Sequence, residues 1–449
     1  MTGAGCLFNN QAEPAFRRTM MSLLDPKIWT GSVFSGGWKN SSGGDAAVVE
    51  PATGAELGRT GIADARDVAR ATQQAATAQR EWAETSFEQR AAVLRRAGQL
   101  FEEKAEEIQG WIIRESGSTP GKAGFETYMA AQECYEAATL PSQALGEILP
   151  TVKKRLSLAR RRPAGVVGVI APFNVPLILS IRSVAPALAL GNSVVLKPDP
   201  RTAVCGGVVL ARVFEEAGLP EGVFHMLPGG ADAGEALVTD PLVRIISFTG
   251  STAAGRKVGE LAARHLKRAH LELGGNSALV ILGDADLDLA VGAGTWGAYF
   301  HQGQVCMTTG RHLVHESVAQ EYVARLAAKA DSLTVGDPAT TDVALGPIID
   351  AAQRDKIHSL VTSSVDAGAR LVAGGTYEEL FYRPTVLSGV TPQSPAYAQE
   401  VFGPVAPVMS FSSLDEAAKL AADSEYGLSL GILTRDVMKA MALSERIPS

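Results

Sequence analysis

At 449 residues the chain is too long for one ordinary hydrophobic core and predicts two or three domains. Its 46% apolar and 20% charged content is that of a soluble globular protein, and 41 basic against 48 acidic residues leave a net charge of −7, which argues against a general nucleic-acid binder. The four cysteines (Cys6, Cys134, Cys205, Cys306) lie too far apart for a disulfide framework and suit a reducing cytosol. With no CxxC and no HExxH there is no zinc signature, and no metal role is assigned, His312 and His315 included.

The first thirty residues lack the apolar run of a signal peptide; residues 1–29 read as a polar extension, with Met20 and Met21 as alternative starts. Residues 32–60 read as hairpins. Asp64 caps a helix that runs to about Glu84, and Ser86 with Gln89 opens a second, whose apolar face carries Phe87, Ala91, Leu94, Ala97 and Phe101. A third helix is expected over 124–139. Residues 151–162 are basic and partly alternating, either a solvated strand or a strand that pairs with another subunit. The most apolar stretch, 166–196, is broken by Pro172, Asn174, Pro176, Arg182 and Pro186, too often to span a bilayer.

Between 164 and 282 short apolar runs alternate with helical patterns near 178–190, 202–217, 232–239 and 252–265, which predicts a parallel sheet covered on both faces. Ligands of such sheets bind at the carboxyl ends of the strands. Those ends read Pro172-Phe173-Asn174, Lys197-Pro198, Pro228-Gly229-Gly230, Thr249-Gly250-Ser251 and Gly274-Gly275. A helix from about 286 to Phe300 precedes Cys306, and further strand–helix units reach 435.

Taken singly, these residues admit two readings each. The glycines at 250 and 255 suit a phosphate at a helix start or an ordinary turn; Arg256-Lys257-Val258 lacks the Lys-Ser/Thr pair of a triphosphatase. Cys306, in a polar glycine-bearing run, is a nucleophile or a structural thiol. Glu272, between Leu271 and Leu273, is a partly desolvated general base or a surface carboxylate. Lys197 binds phosphate or ribose hydroxyls, or sits in solvent. Asn174 donates to an oxyanion, or forms a turn.

Together and in this order, APFNVP at 171–176, LKP at 196–198, FTGS at 248–251, LELGG at 271–275, GQVC at 303–306 and EVFGP at 400–404 resemble the aldehyde dehydrogenase superfamily over residues 30–449. The run at 197–207 (KPDPRTAVCGG) is most similar to the bacterial benzaldehyde and vanillin dehydrogenases. The resemblance implies an α/β fold with a Rossmann-like NAD(P)-binding domain (30–148 plus 163–273), an oligomerisation segment (149–162) and an α/β catalytic domain (274–449). It implies a cytoplasmic homodimer or homotetramer acting on a small-molecule aldehyde, with neither nucleic acid nor membrane as partner. Cys306 would attack the aldehyde, the Asn174 amide would hold the oxyanion, and Glu272 would activate the water that hydrolyses the thioester. Lys197, Pro172, Phe173, Gly229, Gly250, Ser251, Gly274, Glu400 and Phe402 would bind the cofactor. Arg311 matches the pattern as a structural residue, and Glu216 matches it without a derived role.

Three departures from the family pattern carry expectations. Phe173 replaces a common Trp, with little effect expected. Pro200 stands where NAD-preferring members often carry Glu, so a 2′-phosphate meets no like charge near Arg201, and both NAD and NADP are expected as cofactors. The family's final segment is not found after Ser449, so a C-terminally truncated dehydrogenase that binds nucleotide without turnover is the alternative function. Trp296, Tyr299, Phe300 and the stretch 173–179 are expected to line an apolar tunnel suited to an aromatic ring.

Overall fold

The computed structural model describes residues 22–448, so Cys6, Met20, Met21 and most of the expected extension lie outside the described residues. From Ser22 onward the chain is part of the body, contrary to the expectation of a polar lead-in through residue 29. Leu23 and Leu24 are 1% exposed and Trp29 is fully buried. Glu107 accepts the Leu23 and Leu24 N–H groups at 3.0 and 2.9 Å, so the segment docks with its polar backbone satisfied.

Asp64 and Ser86 are the N-caps of helices Ala65–Glu84 and Phe87–Glu103. Helix Ala105–Ser116, with Ile108 and Ile112 buried on one face, was not anticipated. The next helix begins at Pro120 rather than near 124, because proline suits a first helical position. The expected single helix over 202–217 opens instead with a π turn over Val204–Val208, whose Val204 and Cys205 N–H groups are accepted by buried Glu115 at 2.9 and 2.6 Å.

Two sheets organise the chain. The first has seven strands, in the order Arg268–Glu272, Val243–Thr249, Val166–Ile170, Ser193–Lys197, Phe224–Met226, Ser32–Ser35 and Trp38–Asn40. The first five are parallel to their neighbours and the last two antiparallel. Val166–Ile170 and Ser193–Lys197 are buried throughout, with the apolar Val194-Val195-Leu196 centre that helices on both faces require. From Val166–Ile170 the strand order runs one way to 193–197 and 224–226, and the other way to 243–249 and 268–272. That reversal opens a crevice between the ends of Val166–Ile170 and Val243–Thr249.

The second sheet has six strands, Arg370–Ala373, Thr385–Ser388, Val405–Phe411, Thr309–His315, Ser277–Ile281 and Leu430–Leu433, all parallel except the first. Its first strand in sequence follows the last parallel strand of the other sheet after only Leu273-Gly274-Gly275-Asn276, so this short link crosses between the two bodies. Apart from both sheets, Gly146–Leu149 and Ser157–Arg160 form an antiparallel hairpin that begins before residue 149 and leaves Ile148, Leu156 and Leu158 exposed. Among the described residues no helix is long and apolar enough to cross a membrane.

Candidate active site

A cleft of about 370 Å³ lies at the strand-order reversal and gathers most of the residues singled out from the sequence. Pro172, Phe173, Asn174, Lys197, Gly250, Ser251, Gly274, Cys306, Glu400 and Phe402 all line it. Gly229 stands behind the wall, where its carbonyl accepts the Lys197 ammonium at 2.7 Å. Glu272 is not a lining residue; it ends its strand immediately before Leu273 and Gly274, which are.

One end of the cleft holds a helix start. Ser251 caps helix Thr252–Arg264 by accepting the Ala254 N–H at 3.3 Å, and Gly250 is the last residue before the cap. A helix start of this kind presents free N–H groups to a phosphate. Gly255 has a different reason: a Cβ there would collide with Leu273. It is a packing glycine, not part of a phosphate loop. Lys197 is only 9% exposed.

Arg201 also reaches this cleft, but it is not free. Its guanidinium pairs with Asp199 at 2.8 Å and Asp350 at 2.7 Å and lies 4.1 Å from the centre of the Phe173 ring. Asp199 is itself a lining residue. The expectation that a 2′-phosphate meets no like charge near Arg201 is therefore corrected: Asp199 and Asp350 both stand there, and Asp350 could not be placed there from sequence spacing.

The other end holds the thiol. Helix Leu287–Tyr299 is followed by a tight loop in which His301, Gln302 and Gly303 all have positive φ. A side chain at Gly303 would strike the Gly403 carbonyl. Gln302 donates to the Gly117 and Pro347 carbonyls at 2.8 and 2.9 Å, and Gln304 accepts the Ile349 N–H at 3.1 Å. Positive φ is costly for residues other than glycine, and these bonds hold the loop in that shape. Cys306 emerges from it partly exposed.

Asn174 is joined to the same loop: its side-chain amide donates to the Gln304 carbonyl at 2.8 Å. The amide carries a second hydrogen for a ligand. Gly274-Gly275 brings the link after the Glu272 strand against the Cys306 backbone, since a Cβ on Gly275 would collide with the Cys306 carbonyl and one on Gly274 with the Glu400 carboxylate. Glu400 accepts the Gly275 N–H at 3.1 Å. Phe402, also at positive φ, packs edge-on against Phe173 at 5.8 Å. Arg311 buttresses the link from behind, donating to the Asn276, Leu420 and Ala421 carbonyls. Glu216 pairs with Arg212 at 2.7 Å, far from the cleft in the fold.

Glu272 is half-buried, its side chain 37% exposed, 4.0 Å from Arg182 and 3.5 Å from His270, so water still reaches its carboxylate. One expectation is corrected here. Tyr299 does not line a tunnel; it is 2% exposed, in the core beneath the second sheet, and donates to the Thr385 carbonyl at 3.2 Å. Trp296 and Phe300 stack with centroids 5.3 Å apart, Trp296 67% exposed and Phe300 half-buried, and neither lines the cleft.

Arg182 is a site residue that sequence reasoning missed. It is the one charged residue in the apolar helix Pro176–Ala189, and that was the available signal. Three residues after cleft-lining Leu179, it lies on the same helix face. It donates to Thr249 Oγ1 at 3.1 Å and faces Glu272. Burial pushes the Cys306 thiol above its ordinary range, Arg182 pulls it down, and Glu400 pushes it up. Arg182→Ala removes the one pull toward thiolate among these charges. The acid limb of kcat/KM against pH is therefore expected to move up; a limb that stays in place in a pH–rate profile would exclude this role.

The architecture and cleft define an α/β protein that brings a cysteine and an amide donor together at the switch point of a parallel sheet. The chain belongs to the aldehyde dehydrogenase family, whose model matches residues 38–449. It is 72% identical over 429 residues to a vanillin dehydrogenase of an Amycolatopsis strain, covering 96% of this chain and 88% of that one. It is 48% identical to a Pseudomonas putida benzaldehyde dehydrogenase [NAD(+)], covering 95% and 88%. A crystal structure of an NAD-dependent benzaldehyde dehydrogenase from Corynebacterium glutamicum superposes with a TM-score of 0.88 at 38% identity, covering 93% and 92%.

Proposed function

We propose that the chain oxidises aromatic aldehydes to carboxylic acids with NAD or NADP, through a thioester on Cys306. The observation that carries this reading is the meeting, in one cleft, of Cys306 and Asn174 with Lys197 and the Gly250-Ser251 helix start. The names of the similar proteins favour an aromatic substrate and a nicotinamide cofactor.

The residues fit such a cofactor. A buried lysine and a capped helix start suit its ribose and pyrophosphate, and the Pro172, Phe173 and Gly274 surfaces flank that path. Gly229 orients the lysine. Glu400 and Phe402 would hold the nicotinamide ribose. When bound, the cofactor supplies the hydride acceptor. Cys306, as thiolate, adds to the aldehyde carbon, and the oxygen becomes an alkoxide. The Asn174 amide and the Cys306 N–H donate to that oxygen. The C–H hydrogen leaves with its electron pair, and a thioester remains. Glu272 takes a proton from water, the water oxygen adds to the thioester carbon, and the C–S bond breaks to release the acid. The exposure of Glu272 suits this step, which needs water at its carboxylate.

For the substrate, exposed Trp296 and Met307, with half-buried Phe300, lie on the two sides of Cys306 in sequence and offer an aromatic and thioether surface to a ring. The exposed apolar hairpin favours assembly as a homodimer or homotetramer. Absorbance of the reduced cofactor tests the reading: benzaldehyde and vanillin should be turned over in preference to a short aliphatic aldehyde. NADP should support kcat/KM within about a hundredfold of NAD. No turnover of aromatic aldehydes, or a clear aliphatic preference, would contradict it.

A further inference from the structure

The Lys122–Glu126 ion pair, one turn apart on helix Pro120–Ala137, is almost wholly buried, with side chains 2% and 0% exposed. Burying two charges is costly unless their remaining hydrogen-bonding capacity is used. Here it is used on a single turn of chain. Lys122 Nζ donates to the Asn174 carbonyl at 2.9 Å, and Glu126 Oε2 accepts the Leu177 N–H at 2.9 Å. Leu177 belongs to the first turn of helix Pro176–Ala189, whose N-cap Val175 has no capping side chain, so Glu126 takes over that duty from outside the helix. Buried His301, from the cysteine loop, faces Lys122 and the same Asn174 backbone.

The pair thus grips the backbone at Asn174 and again three residues later, while the Asn174 side chain is oriented by Gln304. We propose that Lys122 and Glu126 are positioning residues: they aim the Asn174 amide at the oxyanion formed on Cys306. This rests on the cysteine chemistry proposed above. The alkoxide exists only after attack, so a misdirected amide costs turnover more than substrate binding.

The test is a cycle of four chains: wild type, Lys122→Met with Glu126→Leu, Asn174→Ala, and all three changes together. Replacing both members of the pair by apolar residues of similar size leaves no unpaired buried charge. Removing the pair is expected to lower kcat by about 10- to 100-fold, the scale of a misplaced catalytic group. The aldehyde KM should change by less than about threefold. In the Asn174→Ala background the same change should cost less than about threefold more, because the residue it acts through is gone. Equal losses in both backgrounds, or an unchanged kcat, would overturn the proposal. Should the apolar pair not fold, Glu126→Gln runs through the same cycle with the same two readings. Wild-type turnover that depends on Cys306 is read in parallel. Its absence would bring down the cysteine chemistry, and this proposal with it; its presence beside equal losses would bring down the positioning role alone.

Discussion

Changing Cys306 to alanine is expected to reduce aldehyde oxidation to background, a loss of about 10⁶-fold in kcat if the thiolate forms the covalent bond. The other two cysteines among the described residues cannot substitute. Cys134 and Cys205 are buried, and burial pushes both thiols far toward the neutral form, whereas Cys306 is partly exposed and has Arg182 to favour its thiolate. Lys197, Gly229, Gly250 and Ser251, four of the groups proposed to bind cofactor, lie at strand ends and a helix start of the first sheet, apart from the cysteine loop. Nucleotide binding should therefore persist in the variant, read by quenching of protein fluorescence, while reduced-cofactor absorbance stays flat. Substantial turnover in Cys306→Ala would exclude the nucleophile assignment.

The second large effect is expected at Glu272. Glu272→Gln retains size and polarity and removes the base. Hydride departure precedes the water step, so the first turnover should still occur: a burst of reduced cofactor close to one equivalent per active chain. The steady rate that follows should fall by about 10²- to 10⁴-fold. A variant that lost the burst as well would show that the carboxylate acts before the thioester, for instance on the thiol. The geometry favours the later step. Glu272 is open to water, and Gly274-Gly275 sets its strand end against the Cys306 backbone without a side chain between them.

Much of this arrangement was legible in the sequence because it is local. Asp64 and Ser86 cap their helices through bonds to the next few residues. The apolar runs at 166–170 and 194–196 declare strands covered on both faces. The polar and glycine-bearing strand ends that follow them form the cleft, which is why Asn174, Lys197 and Gly250 were found together.

What escaped was set by contacts distant in the chain. Arg201 is neutralised in part by Asp350, and nothing near residue 201 announces that partner. Lys122 and Glu126 look like any surface i,i+4 pair until the Asn174 turn folds over them. Leu23, Leu24 and Trp29 are three apolar residues in a polar stretch, and only the packed body shows that they are covered. Tyr299 and Trp296 are three positions apart on one helix, yet one is core and the other is exposed. The periodicity of a nearly all-apolar helix cannot tell its faces apart.

The central claim is a covalent thioester on Cys306, and the Glu272→Gln chain is the one in which it should accumulate. The most direct measurement is the mass of that chain after mixing with benzaldehyde and NAD, followed by peptide mapping. The account predicts a gain of one benzoyl group, located on the peptide that carries Cys306 and absent when cofactor is omitted. An unmodified chain after a full burst of reduced cofactor, or a benzoyl group on any other residue, would contradict it.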